Sequence, residues 1–122
     1  MCIRDRPTVV LDSAHNADGI TYVCNELKQM NKALHLVLGF VKDKNWQELL
    51  DKFPPDSSFY FSKPDIVRGL PVDQIKSYAA RNGLNARYFD SVRLAKEAAI
   101  ATASKTDCVF IGGSTFVVAE AL

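Results

Sequence analysis

The chain has 122 residues, 48% hydrophobic and 24% charged, with 15 Lys and Arg against 14 Asp and Glu for a net charge of +1. That length and apolar content support one domain with its own core and exclude a disordered chain. A charge so near zero argues against nucleic acid or an anionic membrane as partner, and no apolar run approaches the ~20 residues that span a bilayer.

Residues 1–6, Met-Cys-Ile-Arg-Asp-Arg, precede the first patterned segment and have no apolar stretch behind them, so they are not a signal peptide. They read as a non-native or disordered leader, with the domain running from 7 to 122 and the chain as the tail of something longer. The first apolar run, Thr8 to Leu11, reads as a strand. Ile20, Val23, Cys24, Leu27 and Met30 then fall on one helical face. Leu34 to Leu38 is a second strand, and Trp46, Leu49, Leu50 and Phe53 a second helix, stopped by Pro54-Pro55. Ser58 to Phe61 is a third strand. Val72, Ile75 and Ala79 form a helix opened by Pro71 and closed by Asn82-Gly83. Arg87 to Phe89 is a fourth strand, followed by a helix that Asp90 or Ser91 can cap, with Val92, Ala95, Ala99 and Ala103 as a narrow face. Cys108 to Ile111 is a fifth strand, and Ser114 can cap a last helix through Leu122.

The strand runs are nearly continuous rather than alternating, as in strands covered on both faces. Five strand-then-helix units predict an α/β, Rossmann-like three-layer domain with a mainly parallel sheet of about five or six strands. Cys2, Cys24 and Cys108 form no Cys-x-x-Cys unit, so no zinc site or disulfide framework is expected. Cys24 and Cys108 fit as small core residues, and the reducing cytoplasm is the expected compartment.

Ligands of open parallel sheets bind beyond the carboxyl ends of the strands. Polar residues gather there: Asp12 to Asn16, Lys42 to Lys44, Lys63 to Asp65, Asp90-Ser91, and Gly112-Gly113-Ser114-Thr115. A carboxylate at a strand end can accept from two ribose hydroxyls, and a histidine three residues on, near a helix start, can meet an anion. By spacing alone Asp12 and Asn16 could equally be helix caps and His15 an exposed turn residue. Gly112 and Gly113 allow close backbone approach to an anion, or simply a tight turn with Ser114 as cap. Lys63 and Arg68 flank a Pro-containing loop where a guanidinium could clamp a carboxylate or be solvated. His35, inside an apolar run, reads as a satisfied or edge histidine.

No G-x-G-x-x-G, no G-x-x-x-x-G-K-[ST] and no G-x-S-x-G occurs. The chain therefore has no self-sufficient dinucleotide site, no triphosphate cradle and no nucleophile elbow.

The stretch Val10-Leu11-Asp12-Ser13-Ala14-His15-Asn16-Ala17-Asp18-Gly19 resembles the Asp-Gly-Ala-His-Asn-Pro-x-Gly turn of folylpolyglutamate and dihydrofolate synthases, in the Mur ligase superfamily. The likeness continues in order through Leu38 to Trp46, Arg68-Gly69-Leu70-Pro71 and Val109 to Val118. Ser13 stands for the usual Gly and Ala17 for the usual Pro. The resemblance implies the Mur ligase C-terminal domain fold and an enzyme that activates a carboxylate with ATP and magnesium as an acyl phosphate, which the amine of L-glutamate attacks. The acceptor would be a folate or pteroate. The phosphate loop and metal ligands would lie on a missing N-terminal ATPase domain, with no metal ligand in this chain. By the same resemblance Asp12 contacts ATP through its ribose, His15 is the catalytic group near the transferred phosphate, and Asn16 supports the turn. Ser114, and more weakly Arg68, would bind the glutamate carboxylate. Other readings are a free-standing Rossmann-like ligand-binding or interaction module, and a fragment of a cell-wall Mur ligase.

Overall fold

The computed structural model describes residues 7–12, 17–42, 45–67 and 69–122. Strand and helix alternate five times. In chain order they are β1 (Thr8–Leu11), α1 (Ala17–Gln29), β2 (Leu34–Leu38), α2 (Trp46–Asp51), β3 (Ser58–Ser62), α3 (Val72–Arg81), β4 (Asn85–Phe89), α4 (Val92–Thr102), β5 (Cys108–Gly112) and α5 (Thr115–Ala121). The strands make one parallel sheet in the order β1-β5-β2-β3-β4. This is the Rossmann-like fold that the sequence predicts.

Side chains alternate across a strand, and here the alternation builds two cores. Leu34, Leu36 and Leu38 of β2, Phe59 and Phe61 of β3, and Cys108 and Phe110 of β5 meet α1, α2 and α3. Val37, Tyr60, Val109 and Ile111 face the opposite way, against Val92, Ala95 and Ala99 of α4 and Val117 and Ala121 of α5. Each central strand thus feeds both cores, which explains its unbroken apolar run.

The edge strands depart from the expectation of cover on both faces. Val9 and Leu11 of β1 are 38% and 37% exposed, because α4 and α5 pack over β2, β3 and β5. At the other edge β4 begins at Asn85, two residues earlier than expected, and presents Asn85 and Arg87 to solvent. Polar residues at an edge discourage strand-to-strand association and break the apolar run that marks a strand in sequence. The caps are local: Ser91 Oγ accepts from the Leu94 N–H at 3.1 Å, and Gly83, at φ +67, closes α3.

At the amino edge His35 is buried and satisfied. Its ring joins Asp107 Oδ2 at 2.8 Å through Nε2 and the Tyr60 hydroxyl at 2.9 Å through Nδ1. The Nε2–H tautomer, donating to Asp107 and accepting from Tyr60, fills both positions. Among the described residues no helix is long and apolar enough to cross a membrane.

Candidate functional site at the carboxyl edge of the sheet

The connections after β1 and β2 leave toward the α1–α2–α3 face, while β5, lying between them, sends α5 to the other face. Adjacent strands whose connections part in this way open a crevice at their carboxyl ends. The residues there are Asp12 after β1, Gly112, Gly113 and Ser114 at and after β5, and Gly39 and Phe40 after β2.

These termini pack backbone to backbone. The Asp12 N–H donates to the Ile111 carbonyl at 3.2 Å, extending the β1–β5 ladder by one step. A Cβ on Gly112 would lie 2.9 Å from the Asp12 carbonyl oxygen and 2.6 Å from the Phe110 ring. Gly113 takes φ +93, and a Cβ there would lie 2.7 Å from the Gly39 carbonyl oxygen. Side chains at these positions would clash and, at Gly113, strain the backbone. The glycine pair therefore draws the ends of β1, β5 and β2 into one continuous rim.

Asp12 is half-buried and lines a groove of about 340 Å³ with Val10, Tyr22, Glu26 and Met30. Ser114 is 3% exposed, and its Oγ accepts from the Val117 N–H at 3.2 Å, capping α5. The capping role is thus present. It uses the oxygen as acceptor and leaves the hydroxyl hydrogen available to donate. Asp12 and Ser114 share this edge of the sheet, at the ends of neighbouring strands. His15, Asn16 and Arg68 lie outside the described residues, as do Asp43 and Lys44; Lys42 and Lys63 are exposed at the same edge.

Two features of the rim were not predicted. The loops after β2 and β3 are joined by a Val41–Gly69 bridge, with the Leu70 N–H donating to the Phe40 carbonyl at 2.8 Å. Helix α5 passes from the end of β5 toward that of β3. Val117 Cγ2 lies 2.8 Å from where a Gly39 Cβ would be, and Glu120 Oε2 accepts from the Asp65 N–H at 2.7 Å. Gly69 was the available sequence signal for the first; nothing local announces the second.

A cavity of about 450 Å³ lies at the opposite, amino edge, among Lys28, Lys32, Asp56, Ser57 and the His35–Asp107 pair. Its two innermost ionisable groups already satisfy each other, and it is remote from the crevice that the topology opens. Among the described residues no group of three or more His, Cys, Asp and Glu could hold a metal ion.

A family model described as Mur ligase, glutamate ligase domain matches residues 2–115. The chain belongs to that family. A curated relative, the probable bifunctional folylpolyglutamate synthase/dihydropteroate synthase of Haloferax volcanii, is 39% identical over 117 residues, covering 94% of this chain and 14% of the relative. A bifunctional folylpolyglutamate synthase/dihydrofolate synthase from Yersinia pestis, solved with AMPPNP and Mn ion, has a TM-score of 0.79 at 28% identity, covering 91% of this chain and 27% of that one. Another such enzyme, solved with Mn, AMPPNP and L-glutamate bound, has a TM-score of 0.81 at 29% identity, covering 93% and 27%. This Mur ligase domain therefore spans about a quarter or less of each of these relatives, and the family resemblance drawn from the segments between Val10 and Val118 is borne out.

Proposed function

We propose that this domain is the closing half of an ATP-dependent ligase that joins L-glutamate to a dihydropteroate or folate carboxylate in the cytosol. The observation that carries the reading is the placement of Asp12 and Ser114 on one glycine-drawn rim, at the crevice where the connections diverge. It is supported by relatives solved with an ATP analogue and, in one case, L-glutamate.

The chemistry runs in two displacements. A carboxylate oxygen of the pteroate or folate attacks the γ-phosphorus of ATP, and ADP leaves. The glutamate amine then attacks the acyl carbon, and phosphate departs as the amide forms. Asp12 accepts from the ribose hydroxyls and orients the nucleotide. His15 donates a ring N–H to the transferred phosphoryl group, and Asn16 supports the turn. The Ser114 hydroxyl, still able to donate, and the Arg68 guanidinium take the glutamate carboxylate. Magnesium would offset triphosphate charge when bound, and by the family resemblance its ligands would belong to an upstream ATPase domain. An acyl phosphate survives only where water is excluded, so a domain that closes over it has a direct chemical use.

The test is ATP-dependent incorporation of L-glutamate into dihydropteroate or folate by the full-length protein carrying this domain. His15→Ala is expected to lower kcat by about 100-fold, with the far-UV circular dichroism unchanged. The 122-residue chain alone is expected to be inactive. Ligation by that chain, or an unaltered kcat in the variant, would contradict the assignment.

A further inference from the structure

Strand β1 is an edge of the sheet: β5 lies on one side of it, and among the described residues no strand lies on the other. Its backbone divides between the two sides. The Thr8 and Asp12 N–H groups donate to the Asp107 and Ile111 carbonyls, both at 3.2 Å, so by the alternation of a parallel ladder Thr8, Val10 and Asp12 bond to β5. The N–H and C=O groups of Val9 and Leu11 therefore point away from the sheet. The side chains around that edge are apolar. Val9 and Leu11, in register with Val109 and Ile111, are exposed on the face that carries α4 and α5. Val10, on the other face, lines the groove with Met30 and the exposed Tyr22.

The opposite edge of the sheet is built differently. There β4 presents Asn85 and Arg87 to solvent, and such side chains guard an edge against a further strand. β1, Thr-Val-Val-Leu, holds no charge and no proline. An edge with outward backbone groups and apolar side chains on both faces is shaped to receive one more strand.

We infer that in the full-length protein the free edge of β1 is covered by a short antiparallel strand from the polypeptide immediately upstream of Pro7. The relatives have chain to supply it, since this chain spans 14% of one and 27% of another. The polypeptide enters β1 at its amino end, so an antiparallel neighbour needs only a tight turn, whereas a parallel one needs a crossover of about a dozen residues. Pro7 suits that turn, with φ fixed and no N–H to leave unbonded. An attached strand is also spared the association entropy that a second copy of the chain loses on docking. The added strand lays apolar side chains over Val9 and Leu11 on one face and beside Val10 and Tyr22 on the other, and it stops short of Asp12. It makes the link to the upstream domain part of the sheet, bonded to the strand that ends at Asp12. The inference needs the family membership and not the ligase chemistry.

The test is residue-resolved hydrogen exchange of the full-length protein over a range of concentrations, beside a variant whose last ten or so residues before Pro7, about one hairpin loop and strand, are replaced by Gly and Ser. In the wild type the Val9 and Leu11 amides should exchange within about tenfold of Val10, at every concentration. In the variant both should exchange more than about tenfold faster, with Val109 and Phe110 of β5 unchanged. Should that variant not fold, single prolines at two successive positions of the same segment replace it, one of which must remove a donor to β1. Free exchange of Val9 and Leu11 in the wild type would overturn the inference. So would protection that fades on dilution, which marks a second copy, or protection that survives the substitutions, which marks another segment.

Discussion

His35 and Asp107 join the start of the β5 unit to β2, and Tyr60 carries the contact on to β3. The His35 ring N–H beside Asp107, helped by the Ser104 backbone N–H, holds the Asp107 carboxyl below the usual carboxylate range. A carboxyl lowered on folding adds stability above its unfolded pKa and loses it as pH falls through the folded value. The denaturation midpoint should therefore drop as pH is lowered through about 4 and below, and Asp107→Asn should flatten that part of the profile. A urea-midpoint series against pH reads it; an equal slope in the variant would refute the assignment. The Cys24 thiol is pushed up to about 11 by burial, against the pull of Lys28 and Lys52, and burial raises Cys108 as well. Thiolate is the reactive form. At pH 8 both cysteines should label only as fast as the protein unfolds, resolved site by site by mass spectrometry; rapid labelling of either in the folded state would contradict its burial.

At the scale of elements, the two helix caps offer a controlled comparison. Ser91 and Ser114 hold their helices by the same bond, from hydroxyl oxygen to an N–H three residues on. Ser91→Ala should cost about 1 kcal/mol of stability and leave ligation kinetics unchanged. Ser114→Ala should cost a similar stability but also raise KM for L-glutamate, because its hydroxyl is assigned a second partner. Equal kinetics in the two variants would leave Ser114 as a cap and nothing more. The ten elements were legible because apolar runs and helical periods come from residues close in sequence. The exposed face of β1 was not, since it depends on β5 inserting between β1 and β2 and on which strands α5 then covers. The early start of β4 was hidden by Asn85 and Arg87, whose polarity is the mark of an edge. Two contacts at the carboxyl edge were invisible for a similar reason: the Leu70 N–H donates to the Phe40 carbonyl and the Asp65 N–H to Glu120, and no local pattern encodes such pairs.

At the scale of the whole molecule, the fold keeps a buried polar network at the amino edge apart from the glycine-drawn rim at the carboxyl edge. The amino edge spends its buried histidine on Asp107 and Tyr60. The carboxyl edge spends glycines on bringing β1, β5 and β2 together, and it carries both Asp12 and Ser114. The strand-end rule, applied to the sequence, located that rim, and the family resemblance supplied the roles of its residues. The measurement that bears most directly on this division is hydrogen exchange of the full-length protein with AMPPNP and L-glutamate added. Protection is expected in segments 11–19, 39–41 and 112–117, with segments 31–35 and 104–108 unchanged. Protection confined to the amino edge, or absent from both β1 and β5 ends, would contradict the account.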